Sequence, residues 1–230
     1  MTQALKLISS MATRQLLTEL ATVHTQTTGQ AIELEAVGGV DAARRVQSGE
    51  TFDVVVLASA AIRQLSSTAR VIDDSVRDLV FSGISVAVRA GCAHPRIESE
   101  LALRETIQRA RAIGYSTGPS GTHLLGLLER WGLRHEMGTR IIQAPPGVPV
   151  ASLVADGRVE LGFQQLSELI GAPGIEVLGP LPPGAQLMTA FTAAVVAGSQ
   201  QIDAARALIS FMASPATRAA KRRQGMEPAE

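Results

Sequence analysis

Gly114-Tyr115-Ser116-Thr117-Gly118-Pro119-Ser120-Gly121-Thr122-His123 is the stretch that decides the reading of this chain. An apolar run ends in it, and a helical pattern over residues 122–131 opens from it. Strand, Gly/Ser turn, helix is the unit of an open α/β sheet. The first amides of a helix lack internal partners and carry the positive end of its dipole, so such a turn suits an anion. Ser120, Gly121 and Thr122 are the candidate contacts. Ser120 or Thr122 acting only as a helix cap is the competing expectation. Lys6-Leu7-Ile8-Ser9-Ser10 repeats the pattern at the N-terminus, with a helix expected over residues 13–25. Ligands of open α/β sheets bind at the carboxyl ends of strands. Ser9 and Ser10 therefore join the candidates.

The alternation runs through the chain. Strands are expected over residues 5–8, 31–37, 53–57, 84–88, 113–116, 140–143, 161–164, 175–178 and 189–196. Helices are expected over 13–25, 40–46, 60–65, 97–110, 122–131, 149–155 and 202–212. This is an α/β protein with mostly parallel sheets. Phe81-Ser82-Gly83 and Pro180-Leu181-Pro182-Pro183-Gly184 mark crossovers. They divide the chain into one lobe of residues 1–83 plus 187–230 and a second of 84–186. Two crossings make a hinged molecule with a ligand cleft between lobes.

Composition narrows the function. Lys plus Arg and Asp plus Glu number 21 each, so the chain lacks the basic excess of a nucleic-acid or membrane-surface binder. Aromatic residues are 3%, too few for stacking platforms. Cys92 is the single cysteine, and the four histidines show no metal-ligand spacing, so neither a metal site nor a cofactor is implied. No secretory leader opens the sequence, and no apolar run reaches membrane-spanning length. The chain as it stands reads as cytoplasmic, or as periplasmic if a leader was removed.

The ordered motifs resemble the type 2 periplasmic-binding-protein fold and, within it, the molybdate-binding-protein-like solute-binding proteins. They are Ser9-Ser10; Val37-Gly38-Gly39; Ser48-Gly49-Glu50-Thr51-Phe52-Asp53-Val54-Val55 running into Ala58-Ser59; Pro119-Ser120-Gly121; Asp156-Gly157-Arg158-Val159-Glu160-Leu161-Gly162; and the closing Gly225-Met226-Glu227-Pro228. The resemblance implies two lobes closing on a small anion, and an ABC permease as partner if the protein is exported. It implies ligand contacts from Ser9, Ser10, Ser120, Gly121 and the Val150 amide. Gly39 stands where molybdate binders usually carry Ser, and Gln165 where they carry Tyr. Both departures point away from a tetrahedral oxyanion. Phe163-Gln164-Gln165-Leu166-Ser167-Glu168-Leu169 is similar to a subgroup that includes aconitate isomerases, which implies a di- or tricarboxylate ligand.

Three functions remain open: a solute binder, an isomerase of an unsaturated carboxylate on the same scaffold, and the effector-binding half of a LysR-like regulator. The last would need a DNA-binding extension. His123 is a general base, a ligand contact or a helix-start residue. Glu168 is its acid partner or caps a helix with Ser167. Ser59 is an N-cap or a ligand contact, and Gln164 is the alternative to Gln165. Arg63 or Arg140 could pair with a carboxylate. Lys221-Arg222-Arg223 is expected to be a solvated cluster at a helix C-terminus.

Overall fold

The structure, a computed structural model, describes residues 3–229. Residues up to Ser82 and from Thr189 onward form one compact unit, and Gly83–Met188 form the other. In chain order the first unit begins with β1 (Leu5–Ser10), a 3-10 turn (Met11–Thr13), α1 (Arg14–Thr28), β2 (Ile32–Val37), α2 (Gly39–Gln47), β3 (Val54–Ala58) and α3 (Ser59–Ser67). The long β4 (Arg77–Arg89) crosses the boundary. The second unit continues with α4 (Glu100–Arg109), β5 (Ile113–Tyr115), α5 (Pro119–Arg130), α6 (Leu133–Met137), β6 (Ile141–Gln143), α7 (Val150–Ala155), β7 (Leu161–Gln165), α8 (Leu166–Leu169) and β8 (Ile175–Pro180). The chain then returns to the first unit as β9 (Met188–Val195), α9 (Ile202–Ala213), α10 (Arg218–Arg223) and β10 (Glu227–Pro228).

In the first unit β1 lies parallel to β2 and β3, and β9 runs antiparallel to β3. Strand side chains alternate between two apolar faces. Leu5, Leu7, Val54 and Val56 pack with Leu16, Leu17 and Leu20 of α1 and with Leu208, Ile209 and Met212 of α9. Ile8, Val55 and Leu57 pack on the opposite face with Ala42, Val46, Ile62 and Leu65 of α2 and α3. A parallel sheet covered on both faces needs such continuous apolar strands.

The second unit repeats the plan. β5 is parallel to β6 and β7, while β4 runs antiparallel to β7 and β8. Ile113, Tyr115, Leu161 and Phe163 face Leu103, Leu124, Leu127 and Leu128 of α4 and α5. α7 covers the other face through Val150, Leu153 and Val154. It sits close because the strands carry Gly there. A Cβ on Gly162 would stand 2.5 Å from Val154 Cγ2, and one on Gly114 would stand 3.3 Å from Val150 Cγ1.

Three expectations change. Antiparallel pairs of β4, β8, β9 and β10 make the sheets mixed rather than mostly parallel. Phe81-Ser82-Gly83, where the first unit gives way to the second, does not precede the strand expected at 84–88 but lies inside the longer β4, paired with β10 before Gly83 and with β7 and β8 after it. Lys221 is only 1% exposed, so it is not part of a solvated cluster.

Candidate functional site

In each unit, strands feed directly into helices at the carboxyl end of a parallel sheet. The helix starts there share one property: no side chain of the first turns caps them. The N-cap positions of α2, α3 and α5 are Gly38, Ala58 and Gly118, and none supplies a capping hydrogen bond. Ser120 and Thr122 therefore lie inside α5 and do not cap it. Ser59 is the first residue of α3 and not its N-cap. Uncapped N-termini leave N–H donors and positive dipole ends for an anion.

Ser9 and Ser10 close β1. Ser9 is fully buried, and its hydroxyl donates to the Ser10 carbonyl at 3.3 Å. Thr13 donates to the same carbonyl at 3.2 Å. Ser10 Oγ is different: among the described residues it is the one buried side-chain oxygen or nitrogen with no hydrogen-bond partner. Buried polar atoms are nearly always paired, so an orphan calls for a reason. Gly39 is its neighbour, since a Cβ there would stand 3.6 Å from the Ser10 Cβ. The structure thus brings Ser10 to the start of α2. Ser59 is engaged elsewhere. Its Oγ lies 2.7 Å from Thr192 Oγ1, and Thr192 also donates to Asp78. Asp78 was hidden from sequence reading because it falls outside the strand expected there.

In the second unit, Ser120 is buried at the start of α5, its Oγ 3.3 Å from that of Ser116. Gly121 leaves no space for any side chain, because a Cβ would fall 1.8 Å from the Ser116 carbonyl oxygen. Thr122 is exposed and bonds back to the Gly118 carbonyl at 3.5 Å. His123 places Nε2 2.7 Å from the Ala185 carbonyl. A carbonyl only accepts, so Nε2 carries the proton and ties α5 to the loop before β9.

Val150 opens α7, and its N–H donates to Gln164 Oε1 at 3.1 Å. A ligand using this amide would have to compete with Gln164. Gln164 Nε2 in turn donates to Glu168 Oε2 at 2.7 Å. Burial pushes the Glu168 carboxyl up to about 7, although the Gln164 bond pulls the other way. Glu168 does not form the expected capping pair with Ser167, since α8 follows Gln165 with no side-chain cap. Gln165 itself is buried at the end of β7. Arg140 is spent on the backbone, donating to the Gln108 and Ala110 carbonyls at 3.0 and 2.9 Å. No cluster of three or more His, Cys, Asp or Glu side chains suited to a metal occurs among the described residues. No helix among them is long and apolar enough to cross a membrane.

Comparison with known proteins places this geometry. The family described as bacterial extracellular solute-binding protein matches residues 5–227. An aconitate isomerase of Pseudomonas sp is 34% identical over 230 residues, covering 97% of this chain and 87% of the relative. The periplasmic molybdate-binding protein of Azotobacter vinelandii shares the fold with a TM-score of 0.82 at 20% identity, covering 98% of this chain and 100% of that one. The sulfate-binding protein of Mycobacterium tuberculosis superposes with a TM-score of 0.80 at 17% identity, covering 100% and 88%. With its periplasmic-binding-protein-like architecture and a family match that runs nearly end to end, this chain belongs to the bacterial extracellular solute-binding proteins.

Proposed function

We propose that this solute-binding protein takes a small di- or tricarboxylate. The observation that carries the reading is the buried, unpartnered Ser10 Oγ beside the uncapped start of α2. A hydroxyl that donates to a ligand oxygen, next to free helix amides, is a carboxylate or oxyanion contact. Two residues favour the carboxylate. Gly39 supplies no second hydroxyl beside Ser10, and Gln165 brings both an amide donor and an acceptor where molybdate binders carry a phenol. Within the first unit Ser9 and the amides that open α3 are the remaining proposed contacts; within the second they are Ser120, Gly121 and the amides that open α5. Delivery to an ABC permease follows for an exported form, in keeping with the family.

The near-full-length likeness to an aconitate isomerase favours a second reading on the same site: isomerisation of an unsaturated tricarboxylate.

A melting-shift panel of carboxylates and oxyanions tests the ligand class. A carboxylate at 100 times its Kd should add about 2.7 kcal/mol, roughly 5–10 °C for a chain of this size. Molybdate and tungstate should shift nothing. The opposite pattern would overturn the reading.

Gly39→Ser probes the discrimination itself. The new side chain has ordinary contact distance to Ser10, so folding should be unaffected. One added hydrogen bond to a charged ligand is worth about 1.5–3 kcal/mol. Molybdate, which should give no heat with the wild type, should therefore bind the variant measurably in titration calorimetry.

A further inference from the structure

One proton separates an isomerase from a binder. Moving a carbon–carbon double bond along an unsaturated tricarboxylate breaks a C–H bond at the allylic methylene. Its electron pair becomes the new double bond. The old π pair takes a proton at the carbon that had been vinylic. The change is redox-neutral and needs no co-reactant. It needs a group that accepts a proton and gives it back near neutral pH.

Three of the four imidazoles have partners elsewhere, and the fourth, His135, is exposed on α6. His123 holds its Nε2 proton on the Ala185 carbonyl. His94 Nε2 lies 2.6 Å from Glu176 on the exposed surface. His24 is buried on α1 against the Phe211 ring, with centroids 5.2 Å apart. The carboxyls of Glu98, Glu100 and Glu176 are drawn below their ordinary range by the donors around them.

Glu168 stands apart. It lies in α8, three residues beyond Gln165 at the end of β7. This is the carboxyl end of the parallel strands β5, β6 and β7, the end from which α5 opens with Ser120 and Gly121. Gln164 cannot flip without loss. Its Oε1 accepts from Val150 N and its Nε2 donates to Glu168 Oε2, so a reversed amide would face an N–H with an NH₂ and a carboxylate with an oxygen. The arrangement fixes one carboxyl oxygen. Gln164 holds Oε2, and Oε1 is the other oxygen of the group. The residue as a whole is half-buried, with its carboxyl the desolvated end. Burial raises the carboxyl to about 7, so near neutrality it is partly ionised and partly protonated and can both take a proton and give one back.

We propose that Glu168 is the acid–base residue of this site, taking the allylic proton on Oε1 and returning it to the far carbon of the same three-carbon unit. Gln164 is its positioning residue. The proposal rests on the isomerase reading, and the experiment separates the two. Wild type, Glu168→Gln and Glu168→Asp are each incubated with trans-aconitate. Conversion to the cis isomer is followed by NMR, and trans-aconitate affinity by calorimetry. Wild type should isomerise it. Glu168→Gln keeps the size of the side chain and an acceptor for Gln164. It should bind within about three-fold of wild type and lose roughly 10²- to 10⁴-fold in isomerisation rate, the usual contribution of a positioned acid or base. Glu168→Asp, which retains a carboxyl one methylene back, should recover part of the rate, and it carries the comparison if the Gln variant does not fold. Isomerisation by Glu168→Gln within ten-fold of wild type would overturn the role of Glu168 and leave the isomerase reading intact. No isomerisation by wild type above a protein-free blank would overturn the isomerase reading, and the proposal with it.

Discussion

Gly121→Ala is expected to destabilise the second unit by about 3 kcal/mol, the upper end of what overpacking costs. The added Cβ would fall 1.8 Å from the Ser116 carbonyl oxygen, 2.9 Å from the Ser116 carbonyl carbon and 2.7 Å from Tyr115 Cδ2. Two of these three atoms are backbone, and they belong to the turn that joins β5 to α5. The clash cannot be relieved by a rotamer change. The turn must move, and with it Ser116, whose Oγ meets that of Ser120. At 2–4 °C per kcal/mol for a chain of this size, the melting temperature should fall by roughly 6–12 °C. Gly126→Ala, one and a half turns further along α5, is the control. No atom lies within 4 Å of its Cβ position. There Ala should stabilise by up to about 1 kcal/mol through helix propensity alone. Equal melting of the two variants would remove the steric account of the loop.

Ser10→Ala should act with opposite signs on stability and on binding. In the free protein, Ser10 Oγ is buried without a partner, a condition that costs about 1–3 kcal/mol. Removing the hydroxyl relieves that cost and leaves a methyl of similar shape, so the free variant should melt at or above the wild-type temperature. The ligand loses a donor to a charged oxygen, worth about 1.5–3 kcal/mol, so affinity should fall roughly ten- to hundred-fold. Ser9→Ala lacks this signature, because Ser9 already bonds the Ser10 carbonyl. Scanning calorimetry with and without ligand reads both effects. A Ser10 variant that is both less stable and undiminished in affinity would show the hydroxyl to be structural.

Much of the architecture was legible because both faces of each parallel sheet are covered. Val54-Val55-Val56-Leu57 can be little else than a strand buried on both sides, and Ser9-Ser10 and Gly118-Pro119-Ser120-Gly121 punctuate strand and helix. The misreadings came where distant pairing overrode local chemistry. Ser82-Gly83 reads as the lead-in to a strand that starts at residue 84. Yet β4 passes through it because β10 pairs with its first half and β7 and β8 with its second. Gly83 serves close approach there and not a turn, since a Cβ would meet the side-chain ends of Met188 at 3.1 Å (Sδ) and Gln186 at 3.2 Å (Nε2), which would have to give way. Lys221 sits among charges in sequence, but α10 turns it inward beside Ala220, an orientation that a run of like residues conceals.

The same logic limits what the sequence says about the site. Ser10 and Gly39 could be placed by pattern, but their contact exists only because β1 and β2 are neighbours in the sheet. Ser59 reads as a cap because Ser before a helix usually is one. The partner that claims it, Thr192, is 133 residues away. Ser167-Glu168 has the spacing of a local cap, whereas Glu168 reaches back across the strand end to Gln164. The four-residue separation of Gln164 and Glu168 was the available signal. It went unread because such pairs are expected within one helix and not from a strand into the next.

The central claim is that a carboxylate, and not a tetrahedral oxyanion, fills the space beside Ser10. Isothermal titration of the wild-type protein with trans-aconitate, citrate and molybdate, in one buffer at one salt concentration, tests it most directly. Saturable one-to-one binding of at least one of the two tricarboxylates, with no heat from molybdate, is the predicted result. Micromolar binding of molybdate with neither tricarboxylate bound would contradict it.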